Sequence, residues 1–329
     1  MTLGIDPIDE STSSIVDPIP PEVFNDHEQF GSAIKHSIPI IRKLDRGPFS
    51  GSLEHVDLGE VRVAHVRVES VLEIAGVSAE GFQSFGIPAS GCANASWCGQ
   101  SVSGGRFVNA FDASGSFEAV IRPGFESFVV SVRRDWLRER RVSMEIPDEA
   151  RCRRARAIEY DPASLRTLLG MLQTSFDLMG REQKATRHAA LLEHLRFDLP
   201  GQLLELTSVR RPESALSVRS RDRILEQARA WIADVHAEGH TVADLCRDIG
   251  VGERTVRRAF LEHYGVTPHD YLKARRLNHV HRELLRSDPT RTRVNTVANR
   301  WDFWHMGQLA SDYRRFFGEL PSETLIRAS

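Results

Sequence analysis

The sequence predicts an α+β chain: an N-terminal β-barrel, a helical segment after it, and an all-α C-terminal domain with two helix-turn-helix units. Three observations carry this reading. Apolar residues alternate with a period of two up to about residue 135 and recur at three- and four-residue steps beyond it. A polar stretch without any stripe, residues 207–220 (TSVRRPESALSVRS), divides the later helices into two groups. A short helix, a tight corner and a longer helix then occur twice, about 50 residues apart.

The bulk numbers fit this division. A chain of 329 residues suggests about two domains. Its 41% hydrophobic and 27% charged residues are enough for sizeable cores. A net charge of −2 excludes a wholly basic chromatin-like protein and a wholly acidic solvating one. It conceals an asymmetry, because residues 221–329 carry 18 basic and 15 acidic side chains, near +3, leaving −5 elsewhere. Of the 43 basic residues only Lys35, Lys43, Lys184 and Lys273 are lysines. The arginine excess fits both a G+C-rich coding sequence and bidentate contacts to phosphate and guanine. Cys92, Cys98, Cys152 and Cys246 form no CxxC pair or zinc-like set. The start, MTLGIDPIDE, has no basic-then-apolar signal, and no apolar run reaches the roughly 18–20 residues of a membrane span. A cytoplasmic protein, nucleoid-associated when bound to DNA, is expected.

In chain order, residues 1–25 read as a disordered tail rich in Pro, Ser, Asp and Ile. From 26 to about 135 the strands are short. Phe117, Ala119 and Ile121 alternate with Glu118 and Arg122, and Phe128, Val130 and Val132 repeat the pattern. Val61–Val63 and Val66–Val68 are separated by a phase slip near Ala64 that predicts a bulge. Phe82, Phe85, Trp97, Phe107, Phe111 and Phe117 either fill the barrel or line a pocket in it. Beyond Asp135, Leu165, Leu168, Leu169, Leu172 and Phe176 mark one helix face. Leu191, Leu192 and Leu195 mark a second, interrupted at Pro200 and resumed by Leu203, Leu204 and Leu206. These stripes serve either an intramolecular helical subdomain or a dimer seam.

Residues 241–264 (TVADLCRDIGVGERTVRRAFLEHY) form the first helix-turn-helix unit. Thr241 with Asp244 is a helix N-cap signal, and Val242, Leu245 and Ile249 give a short buried stripe. Gly250 suits the left-handed corner. Val256, Ala259 and Phe260 then face inward, which turns Arg254, Arg257 and Arg258 outward. Three arginines on a second helix suit a major-groove reader, although a solvated charged face is the ordinary fate of such residues.

Residues 296–318 (TVANRWDFWHMGQLASDYRRFFG) repeat the plan with Asp302 at the corner. Leu309, Tyr313, Phe316 and Phe317 face inward, and His305, Met306, Gln308 and Ser311 face outward, with Arg314 and Arg315 near the end. Gln can read adenine, and Ser and His can reach bases or phosphates. Trp301 and Trp304 are read as packing residues. Between the units, PHDYLKARRLNHVHRELL reads as one helix spanning roughly 27 Å. That length can hold two reading helices about one DNA turn, roughly 34 Å, apart.

Three segments, ADLCRDIGVGERTVRRAF, YGVTPHDYLKARRLNHV and DFWHMGQLASDYRRFFGELPSE, resemble the DNA-binding domain of the AraC/XylS family of bacterial transcription regulators. The resemblance implies that Arg254, Thr255, Arg257 and Arg258 serve the first reader, and His305, Met306, Gln308, Ser311, Arg314 and Arg315 the second. The sequence departs from the family pattern at Gly252, Asp302 and Gly307, the last costing about 1 kcal/mol relative to Ala inside a helix. The β-rich region is similar, through pattern and domain order, to the family's arabinose-binding-like, cupin-related sensor domain. The implied division is 26–206 for sensing and dimerisation, 207–220 as linker and 221–329 for DNA binding. The implied partners are double-stranded promoter DNA, RNA polymerase, a small-molecule effector and a second copy of the chain, with activation as the common output. No cofactor or metal and no enzymatic activity are expected.

Two other functions are weighed beside this one. A metal-dependent cupin would need His55, His65, Glu60 and Glu69, whose spacing matches no compact ligand set. A regulator without any small-molecule effector would use the aromatic residues simply as core. Ser96, Ser101 and Ser103 lack a nucleophile-elbow context, and no GxxxxGKS loop occurs.

Overall fold

The computed structural model describes residues 21–35, 37–89, 95–98, 100–102, 106–109, 116–146, 156–159, 162–181, 185–208, 220–234 and 241–327. It opens with β1 (Glu22–Phe24) and α1 (His27–Ala33), followed by β2 (Ser37–Lys43), β3 (Gly51–Asp57), β4 (Val61–Val68), β5 (Leu72–Ser78) and β6 (Phe82–Pro88). Next come β7 (Ala95–Trp97), β8 (Gln100–Val102), β9 (Arg106–Asn109), β10 (Ser116–Ile121), β11 (Phe125–Arg133), α2 (Arg134–Ser143) and β12 (Arg156–Glu159). The rest is helical: α3 (Pro162–Arg181), α4 (Ala185–Ser208), α5 (Ser220–Asp234), α6 (Val242–Asp248), α7 (Glu253–Tyr264), α8 (Pro268–Leu285), α9 (Val294–Arg300), α10 (Met306–Phe317) and α11 (Pro321–Arg327).

The strands make two antiparallel sheets, ordered β1-β3-β4-β11-β6-β9-β12 and β2-β5-β10-β7-β8. The α+β division expected from periodicity is therefore present. Residues 1–20 lie outside the described residues, but Glu22–Phe24, expected to belong to the tail, pair with Gly51–Leu53 as an edge strand. Three residues are too few to show a period. The division at 207–220 also falls largely outside the described residues.

The bulge expected near Ala64 is absent. Val61 to Val68 pair in unbroken register with β11, and Arg62 to Val68 are likewise in step with Asp57 to Gly51 of β3. The phase slip has another cause, which is burial on both faces of the larger sheet. Ala64 and Val68 face the interior between the sheets, while Val61 and Val63 join Phe128, Val130 and Val132 against α2, α3 and α4. Alternation fades when both faces are covered.

The helix stripes are covered within the chain. Leu165, Leu168, Leu169, Leu172 and Phe176 of α3 and Leu195, Leu199, Leu203 and Leu204 of α4 are all buried against that outer face. Of the two open readings, the intramolecular subdomain is the one these residues satisfy. Pro200 does not interrupt the second stripe, since α4 runs through it. The missing N–H costs one helical hydrogen bond, offset here by the burial of Leu199 and Leu203 on either side.

Leu172 is fully buried, and Leu172→Ala should destabilise the N-terminal half by about 2–5 kcal/mol. Urea unfolding followed by circular dichroism checks this, and an unchanged midpoint would contradict the packing described.

Candidate nucleic-acid interface

The first helix-turn-helix unit is built as its sequence suggests. The Thr241 hydroxyl accepts from the Asp244 N–H at 3.2 Å, and the Asp244 carboxylate accepts from the Thr241 N–H at 2.9 Å, a complete capping box. Gly250 turns the corner at φ +67°, where a side chain would be strained. Gly252 is the N-cap of α7. Val256, Ala259 and Phe260 are buried, and Phe260 meets Tyr264 and Tyr271 with ring centroids 5.3 Å away. This phase leaves Arg254, Thr255, Arg257 and Arg258 exposed on the opposite side. Arg258 Nε donates to Glu262 at 2.8 Å, one turn along the helix.

The second unit follows the same plan with different chemistry. Asp302 takes the corner at φ +61°. His305 is the N-cap of α10 and is exposed, so it stands at the entry of the helix. Gln308 and Ser311 are exposed one helical turn apart, and Gln308 donates to Asp312 at 3.0 Å. Ser311, Arg314 and Arg315 border one open hollow. Met306, expected to face outward, is half-buried and packs on the core.

The two tryptophans differ. Trp301 packs on the core, stacks on His279 at 4.1 Å and donates to Glu283 at 2.7 Å. Trp304, expected to pack, is 67% exposed. Phe303 takes the inward position instead, with the Arg276 guanidinium over its ring, so the turn carries Trp304 out beside His305.

The spine α8 joins the two helix-turn-helix units and also fastens them to the smaller sheet. Tyr271 donates to the Glu73 carboxylate at 2.8 Å. Burial and the Glu73 charge push that phenol's pKa up. The Asn278 amide accepts from the Lys43 N–H at 3.0 Å and donates to its carbonyl at 2.8 Å, as a neighbouring strand would. Arg282 binds Glu28 at 2.7 Å. The loop after β2 meets the far end of α10, where the Gly47 N–H donates to the Arg315 carbonyl at 3.0 Å. At Gly265, the left-handed C-cap of α7, an added Cβ would stand 2.7 Å from the Arg122 guanidinium.

Around Asp26 the contact is buried and charged. Asp26 caps α1 by accepting from the Glu28 and Gln29 N–H groups and also binds Arg327 of α11. Its carboxylate can only accept, so His281 Nε2 donates to it at 3.0 Å, and Nδ1 shares a hydrogen bond with the Tyr313 hydroxyl at 2.6 Å. Burial alone would raise the Asp26 pKa, but the bond and charge of His281 hold it well below the usual carboxylate range. His27 lies against both His281 and Phe317, with ring centroids 5.1 and 5.7 Å away and near-parallel planes. Burial, helped by the His281 charge, lowers its pKa from 6.5 to about 3.

Asp26, His27 and His281 are the group of potential metal ligands among the described residues. Arg327 on the same Asp26 oxygen already supplies the positive charge an ion would bring. The cupin set, by contrast, is not assembled. His65 binds Glu126 at 2.7 Å between Phe128 and Phe176, while His55 pairs with Ala64 on the opposite face of the sheet. Glu60 binds Arg196 and Glu69 accepts from the Gly124 N–H.

Two helix-turn-helix units with open recognition faces, fixed on one helix, define a helix-turn-helix protein. Family models match the chain twice, as an AraC-binding-like domain over residues 40–205 and a helix-turn-helix domain over 245–327. The chain belongs to the AraC family. Among curated relatives, the protein named "Probable thc operon regulatory protein" of Rhodococcus erythropolis is 40% identical over 85 residues, 26% of each chain. The HTH-type transcriptional activator RhaS of Enterobacter sp. (strain 638) is 32% identical over 160 residues, 48% of this chain and 54% of that one. Both matches thus span well under two thirds of the relative. The solved structure of the AraC-like transcriptional activator CuxR is similar with a TM-score of 0.41 at 12% identity, covering 78% of this chain and 94% of that one. No helix among the described residues is long and apolar enough to cross a membrane.

Acid should loosen the contact between the two halves. A lowered folded pKa means His27 stabilises fully above 6.5, and its contribution declines as pH falls from 6.5 toward 3. Asp26 adds a loss of the same sign only below about 3.8. His27→Phe keeps a ring in the stack but cannot titrate. Its melting temperature should fall less than the wild type's between pH 7.5 and 5, and equal falls would refute the assignment.

Proposed function

We propose that the chain is a sequence-specific DNA-binding transcriptional regulator that reads two adjacent major-groove segments with α7 and α10. The observation that carries this is the exposure of Arg254, Thr255, Arg257 and Arg258 on one recognition helix and of His305, Gln308, Ser311, Arg314 and Arg315 on the other. Both are held by α8, whose 18 residues are the length expected from sequence. Arg254, Arg257 and Arg258 supply forks for guanine or phosphate; Gln308, Ser311 and His305 supply base and backbone contacts; Arg314 and Arg315 supply charge near the helix end. Met306 serves as an apolar support beside them, and Trp304 adds an exposed ring at the same edge.

In this reading the chain performs no catalysis and needs no cofactor. Its partners are double-stranded promoter DNA, RNA polymerase, a small-molecule effector and a second copy of the chain, and its output is activation. The relatives named as activators favour that output. The division into sensor (26–206), linker (207–220) and DNA-binding domain (221–329) accompanies the proposal, with the sensor extended to include β1. The sensor meets α10 at its far end, at Arg315, while the reading residues stay open. Control therefore acts on how the two readers are held and not by covering them.

Arg257→Ala tests the reading. Footprinting on genomic fragments supplies the operator, and fluorescence anisotropy then gives the affinity. The variant should lose about 1–3 kcal/mol on the operator, and scrambled DNA should be less affected. Unchanged binding to both would remove Arg257 from the interface.

A further inference from the structure

The space between the two sheets is a cavity of unusual composition. About 120 Å³ is available to the centre of a water-sized sphere, where one water needs about 10–15 Å³. Its described lining contains no Asp, Glu, Lys, Arg or His side chain. Apolar groups such as Phe30, Ile74, Phe117 and Val129 make most of the wall. The polar atoms are hydroxyls, among them Ser84, already bonded to Ser131 at 2.7 Å, and the Trp97 indole. Trp97 stacks on Phe117 at 5.0 Å, and its buried Nε1–H has no hydrogen-bond partner among the described residues.

From this we infer the chemical class of the ligand: a neutral, largely apolar molecule of about bicyclic size with one hydrogen-bond acceptor, which takes the Trp97 Nε1–H. The inference rests on the effector-responsive reading above and narrows it. A carboxylate or ammonium ligand would leave water without a counter-charge in this lining, at a cost that apolar burial does not recover. A neutral carbonyl or ether loses little on entry and satisfies a donor that is otherwise buried unpaired. Carboxylates and ammonium ions are therefore poor ligands for this lining.

The cavity is also placed to be felt by the readers. Strands β2, β5 and β10 form a wall one residue thick. Pro39, Ile74, Ala119 and Ile121 line the cavity, while Glu73, Val120 and Arg122 on the other face touch Tyr271, the helical core and the His263 carbonyl. On α1, Phe30 lines the cavity one turn from His27, which lies in the contact with α8 and α10.

Three compounds of one shape test the inference by calorimetric titration of the full chain: 2-acetylnaphthalene, 2-ethylnaphthalene and 2-naphthoate. The ketone should bind at least about tenfold more tightly than the carboxylate. Trp97→Phe should weaken the ketone about five- to tenfold and leave the hydrocarbon unchanged. Ala119→Phe and, independently, Val129→Phe should abolish ketone binding by filling the space, so one unfolded variant does not end the test. The inference is overturned if the carboxylate binds as tightly as the ketone, if Trp97→Phe weakens ketone and hydrocarbon alike, if both filling variants fold and bind normally, or if none of the three compounds binds. Carboxylate binding that the filling variants block would overturn the ligand class alone and leave the effector reading standing. That reading fails separately if a filled cavity leaves regulated promoter activity unchanged.

Discussion

The docking of α8 on the smaller sheet is the interaction on which the rest of the molecule depends. One helix carries Tyr271, Asn278, His281 and Arg282 on a single side, and each finds a polar partner in the other half of the chain. These groups are buried or nearly so, and buried polar groups are costly unless paired. Separation of the halves would expose some to water and strand others. The same helix joins the two helix-turn-helix units. A single element therefore fixes both how the two units are joined and how they are held on the N-terminal half.

This arrangement explains why the smaller sheet is apolar on one face and charged on the other. Ala119 and Ile121 face the cavity, whereas Glu118 binds Arg229 at 2.5 Å and Arg122 reaches the His263 carbonyl at 3.1 Å. A period-two strand gives two faces to two tasks. The larger sheet has no such division, since both of its faces are covered by apolar groups. The wall of the cavity is itself the docking surface for the helical half.

Much of the DNA-binding half was legible in sequence because its determinants are local. The Thr241–Asp244 box, the corner at Gly250 and the phase of Val256, Ala259 and Phe260 lie within 20 residues of one another and fix where Arg254, Arg257 and Arg258 point. Less of the second unit was legible. Half-buried Met306 and exposed Trp304 are both apolar, and hydropathy cannot order the two. Two-sided burial around Ala64 imitated a bulge, and a three-residue strand at Glu22–Phe24 gave no period to read. The Asp26–His281–Arg327 contact was out of reach, because its partners lie more than 250 positions apart and each looks ordinary in its own helix.

The central claim is that the two halves are energetically one body through α8. A double-mutant cycle of Tyr271→Phe and Glu73→Gln, measured by chemical denaturation, addresses it without altering backbone or volume. The account predicts a coupling energy of about 1–2 kcal/mol, the range for buried neighbours that share a hydrogen bond. Additivity to within about 0.3 kcal/mol would show that the contact carries no energy in solution, and would contradict it.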